Sequence, residues 1–110
     1  MTLLLFYITS LEEYLYLINS GDVVIIDFWA TEGGPHETIS SVFEDLASKS
    51  EFSEIKFAKV DADAQPEILN EAGIGSFPTF MAFMNGNKLD EFVGASPQGL
   101  EALVEQYARV

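Results

Sequence analysis

The chain is 110 residues long, with 18 acidic residues, 5 basic residues and a formal charge of −13. That length predicts a single domain over residues 1–110, and 48% hydrophobic residues supply a core, which excludes a disordered chain. The absence of cysteine excludes disulfides, zinc–thiolate sites, iron–sulfur clusters and any thiol nucleophile of the chain's own. The acidic balance excludes a general binder of nucleic-acid backbones and favours basic partners.

Leu3 to Ile8 is an apolar run that reads as a buried strand. It is too short to cross a bilayer. No basic residue precedes it and no small-residue cleavage site follows, so a signal peptide is not expected, and a cytoplasmic location is. Ser10 with Glu13 has the spacing of a capping box and predicts a helix whose buried face carries Leu11, Tyr14, Leu15 and Ile18. Asn19-Ser20-Gly21-Asp22 ends it with turn chemistry.

Val23 to Ala30 predicts a second strand, β-branched enough to be central and covered on both faces. Gly33-Gly34-Pro35 breaks it, and a long helix follows with Ile39, Val42, Phe43, Leu46 and Ala47 on its apolar stripe. A third strand is expected over Ile55 to Val60, and a short helix from Pro66 to a stop at Gly73. Thr79 to Met84 is a fourth strand. Asn85-Gly86 turns it into an antiparallel fifth strand over Lys88 to Val93. Ser96-Pro97 opens a last helix with Leu100, Leu103, Val104 and Tyr107 inward. The order βαβαβαββα predicts an α/β fold: a central mixed five-stranded sheet flanked by four helices.

That order and the residues at its joints resemble the thioredoxin family over nearly the whole chain. The segment from Val24 to Thr31 is similar to the family's strand leading to its active site, and Lys59-Val60-Asp61-Ala62-Asp63 to its third strand and following turn. Ile74-Gly75-Ser76-Phe77-Pro78-Thr79-Phe80 resembles the loop that carries the family's cis-proline. Asn85-Gly86 and Val93-Gly94 match its hairpin and the glycine after it. The resemblance implies the thioredoxin fold and a cis Pro78.

It also places the family's Trp-Cys-Gly-Pro-Cys motif on Glu32, Gly33, Gly34, Pro35 and His36. Gly33 stands where the nucleophilic cysteine would be, and His36 where the resolving one would be. Disulfide exchange needs an attacking thiolate and a second thiol to release the mixed disulfide. The expectation is therefore a redox-inactive, non-enzymatic module. It would bind a protein or extended peptide, favouring a basic one, without a covalent step. The resemblance implies a groove formed by Trp29, Ile74, Phe77, Pro78 and Gly94. An acid–base enzyme built on His36 with Asp27 or Glu32, and a homodimer, are the alternatives.

The resemblance also pairs Asp27 with Lys59 as a buried charge pair beneath the site. Burial would raise the Asp27 pKa and Lys59 would lower it, and the sequence leaves the sign open. His36 with Glu32 and Glu37 falls short of the four ligands zinc prefers. No metal, cofactor, nucleic acid or membrane is expected.

Overall fold

Six consecutive residues, Val24–Trp29, form the strand around which the other elements are arranged. The computed structural model describes residues 5–31 and 37–108. The strands are β1 (Leu5–Tyr7), β2 (Val24–Trp29), β3 (Lys56–Asp61), β4 (Thr79–Met84) and β5 (Asn87–Val93). The helices are α1 (Leu11–Ile18), α2 (Glu37–Ser48), α3 (Pro66–Ala72) and α4 (Pro97–Tyr107), with a 3₁₀ turn at Ser50–Phe52. The sheet runs β1-β3-β2-β4-β5. β3 lies parallel to β1 and β2, while β4 is antiparallel to β2 and β5 antiparallel to β4. This mixed five-stranded sheet with four helices is the architecture expected from the sequence.

Side chains alternate across a strand, so β2 feeds two cores. Ile25 packs with Phe43, Phe57, Phe80 and Leu100 on the face covered by α2 and α4. Val24, Ile26 and Phe28 pack with Tyr14, Ile68 and Met81 on the face covered by α1 and α3. Phe43 sits edge-on to Phe57, ring centroids 5.5 Å apart, which adds aromatic contact geometry to the burial. Asp27 shares the parity of Ile25. It therefore points into the α2/α4 layer, and its cross-strand neighbour in register is Lys59.

Local signals set the element ends. The Ser10 side chain accepts from the Glu13 N–H at 3.1 Å, but Glu13 reaches back one residue further than a capping box requires. Its Oε1 accepts from the Thr9 N–H at 2.7 Å and from the Thr9 hydroxyl at 3.0 Å. Ser96 caps α4 by accepting from the Gly99 N–H at 3.2 Å. Gly73 ends α3 in the left-handed region at φ 73°. The β4–β5 turn has φ 52° at Asn85 and 81° at Gly86, the pair of positive values that Asn-Gly favours.

In α1 the buried residues are Tyr14, Leu17 and Ile18, whereas Leu15 is exposed. The helix is rolled so that Leu17 meets the sheet. A stripe through Leu15 fits helical spacing as well, and only the packing of α1, whose Tyr14 meets Phe28 of β2 and Phe83 of β4, decides between them.

Candidate functional site

The sheet brings three strand ends to one edge: the end of β2, the start of β4 and the end of β5. Phe28 is in register with Thr79, and Thr79 with Val93, so Trp29, Pro78 and Gly94 lie at the ends of neighbouring strands. The Phe77–Pro78 peptide bond is cis. The Pro78 carbonyl accepts from the Gly94 N–H at 3.0 Å, and Gly94 holds φ 126°, a backbone state suited to glycine. The Thr79 hydroxyl donates to the Ser76 carbonyl at 2.7 Å and braces the loop before the proline.

The end of β2 is tied to the β3 side. The Ala62 N–H donates to the Trp29 carbonyl at 2.7 Å, and the Thr31 N–H donates to Asp63 Oδ2 at 3.2 Å. Pro78 is buried, while Trp29, Phe77 and Gly94 are half-buried. Ile74, also half-buried, packs against the apolar cluster beneath α1 and α3. Glu32, Gly33, Gly34, Pro35 and His36, the positions of the family's motif, lie outside the described residues, as does the side chain of Glu37.

Directly behind this edge is a buried polar group. Asp27 is 2% exposed and Lys59 is 8% exposed. They are adjacent in register, yet the Lys59 ammonium makes its hydrogen bonds elsewhere. It donates to Ser40 Oγ in a short contact and to Glu44 Oε2 at 3.1 Å, both on α2. Glu44 Oε2 also accepts from the Ser40 hydroxyl at 3.4 Å. Asp27 Oδ1 is buried without a hydrogen-bond partner among the described residues.

Burial pushes the Asp27 carboxyl up to about 7; the Lys59 charge opposes the rise and Glu44 reinforces it. Desolvation thus outweighs the cation, and the group is about half protonated near neutral pH. A carboxyl with this affinity can hold or release a proton under ordinary conditions.

Ser40 and Glu44 did not stand out in the sequence. Their four-residue spacing puts them on one face of α2, and that signal was present. What the sequence lacked was the placement of this face over Lys59. Among the described residues no cluster of His, Asp and Glu could hold a metal ion, and no helix is long and apolar enough to cross a membrane.

The thioredoxin family profile matches residues 6–106. A thioredoxin of Coprinus comatus is 48% identical over 99 residues, covering 90% of this chain and 93% of that protein. A thioredoxin of Malassezia sympodialis is 41% identical over 101 residues, covering 92% and 96%. The crystal structure of Malassezia sympodialis thioredoxin superposes with a TM-score of 0.87 at 41% identity, covering 94% of this chain and 90% of that one. A Plasmodium falciparum thioredoxin structure gives 0.86 at 32% identity, covering 93% and 98%.

These relatives correct the functional expectation. A redox-inactive, non-enzymatic binding module was expected from the missing cysteines, with a His36 enzyme or a homodimer as alternatives. Relatives of 41–48% identity across nine-tenths of the chain are instead thioredoxins, which are oxidoreductases. The absence of cysteine stands. The step from that absence to a non-catalytic role does not, because it took sulfur within the chain as the only way this scaffold can enter thiol chemistry.

Proposed function

The chain belongs to the thioredoxin family, and from that premise we propose that it promotes thiol–disulfide exchange between sulfur atoms supplied by its polypeptide substrates. The single observation that carries this reading is the Asp27 carboxyl, buried behind the end of β2, without a partner at Oδ1 among the described residues, and holding its proton to about pH 7.

The chemistry balances without a sulfur of the chain's own. A substrate thiolate attacks one sulfur of a substrate disulfide; a new S–S bond forms as the old one breaks, and the electron pair departs on the leaving sulfur as a thiolate. Asp27 acts as the proton reservoir by way of water. It supplies a proton to the departing thiolate and regains one from water, which took up the proton that the attacking thiol lost on ionising. No net oxidant, reductant or proton is consumed.

In this reading the substrate lies as an extended segment along Trp29, Ile74, Phe77, Pro78 and Gly94, using backbone hydrogen bonds as strand addition does. The charge of −13 favours basic segments, and their binding weakens with salt. A cytoplasmic setting, where polypeptide thiols stay reduced, suits this role.

The test is an exchange assay between a thiol peptide and a disulfide-bonded polypeptide, with and without the chain. Acceleration by the wild type that is reduced in Asp27→Asn supports the reading. Equal rates with and without the chain refute it. Sedimentation at micromolar protein shows whether the active species is a monomer or a pair of copies.

A further inference from the structure

A second surface lies on the α1 side of β1, distinct from the edge that carries Pro78. β1 is an outer strand of the sheet, paired only with β3 among the described residues. Beside it opens a hollow of about 630 Å³ lined by Phe6, Tyr7, Tyr16, Leu17, Glu12 and Glu13. Phe6 is 39% exposed and Tyr16 79%, so two aromatic rings face solvent on the α1 side, while Tyr7, of the opposite strand parity, borders the hollow from the far face of β1.

Neighbouring exposed aromatic side chains mark contact surfaces. Here both charged residues of the lining are carboxylates. Glu13 is fixed at the rim through its bonds to the Thr9 N–H and hydroxyl. Aromatic faces attract cations through the ring quadrupole, and carboxylates at the rim add charge attraction.

The geometry points to this hollow as a docking site for arginine or lysine side chains of an extended basic polypeptide segment lying against the β1 edge. The two chemistries act together: a guanidinium stacks on Tyr16 while it donates to Glu12 or Glu13. An acidic segment would be repelled, and a purely apolar one would leave both carboxylates desolvated against it. The site is independent of the exchange chemistry proposed above, since it shares no residue with the Asp27 or Pro78 region.

The experiment titrates the isotope-labelled full chain with a blocked peptide in which Val alternates with Arg, and follows backbone amide signals by NMR. Signals of residues 6–17 move together and saturate, and raising salt from about 20 mM to about 300 mM weakens the binding. Tyr16→Ala, at a residue that contributes nothing to the core, weakens the affinity roughly three- to fivefold. Glu12→Gln weakens it about two- to fivefold.

The counterpart peptide with Glu in place of Arg does not bind. Three outcomes overturn the proposal: no saturable shift in residues 6–17, unchanged affinity in Tyr16→Ala, or equal affinity for a peptide with Leu in place of Arg. Loss of binding in the exchange-site variant Asp27→Asn would likewise contradict the independence of the two surfaces.

Discussion

Replacing Asp27 by Asn removes one titrating group from the interior and changes its shape little. In the folded chain this carboxyl has its pKa pushed from 3.8 up to about 7, chiefly by burial, against the pull of Lys59 and with the help of Glu44. The folded state therefore binds the proton more tightly than the unfolded chain. Between those two values the folded state holds a proton that the unfolded chain has lost, so stability falls as pH rises. Below about 4 the group costs nothing, and above about 7 the whole cost is present.

At about 1.36 kcal/mol per tenfold change in proton affinity, the full penalty is roughly 4 kcal/mol, of which about 2–3 kcal/mol accrues between about pH 5 and pH 8. Asparagine has no such term. It does carry a fixed cost for an amide that must find partners, about 1–3 kcal/mol, but that cost is independent of pH.

The assay is urea unfolding of the wild type and Asp27→Asn at several pH values, read as the difference between them. The other carboxylates titrate in both proteins and largely cancel. The variant gains on the wild type by about 2–3 kcal/mol from about pH 5 to pH 8. A difference that is flat with pH would mean that Asp27 ionises normally inside the fold. A difference of opposite sign would mean that Lys59 holds it as a carboxylate. Either result would refute the reasoning.

Further outcomes follow from the same network and from packing. Glu44→Gln removes an anion that raises the Asp27 pKa, so the Asp27 titration followed by carboxyl carbon NMR moves below about 7; Lys59→Gln removes the opposing cation and moves it above about 7. Gly99→Ala would gain up to about 1 kcal/mol from helix propensity alone. An added Cβ there runs into the Phe92 ring, which is stacked on Phe80. The substitution therefore destabilises by about 1–2 kcal/mol net in urea unfolding. Ser96→Ala loses the N-cap bond to the Gly99 N–H and costs about 1 kcal/mol in the same measurement.

Element type was legible wherever a local rule had one answer. Asn85-Gly86 demanded a tight hairpin, Pro66 and Gly73 bracketed a helix, and the β-branched run after Val23 had to be an interior strand. Ambiguity entered where tertiary contact chooses between two acceptable local answers. In α1 both Leu15 and Leu17 fit a helical stripe, and the sheet buried Leu17. The bulge between Ala82 and Phe83 left no mark because both residues suit a regular strand.

Within the site, Asp27 and Lys59 could be read as neighbours from the resemblance. The sign of the Asp27 shift could not, because it depends on where the Lys59 ammonium goes. Ser40 and Glu44 draw its hydrogen bonds to α2, and that choice is made by the packing of a helix about which residue type says little. The missing sulfur was the most visible feature of the sequence and the one most easily overinterpreted. It fixes what the chain itself can donate to a reaction, but it leaves open what its substrates bring.

The decisive measurement is the rate of disulfide exchange between two polypeptides, taken from about pH 5 to pH 9, as the ratio of the rate with the chain to the rate without it. The account predicts a ratio above one that declines as Asp27 loses its proton around pH 7, and a flat profile for Asp27→Asn. A ratio of one at every pH, or the same profile in the variant, would contradict it.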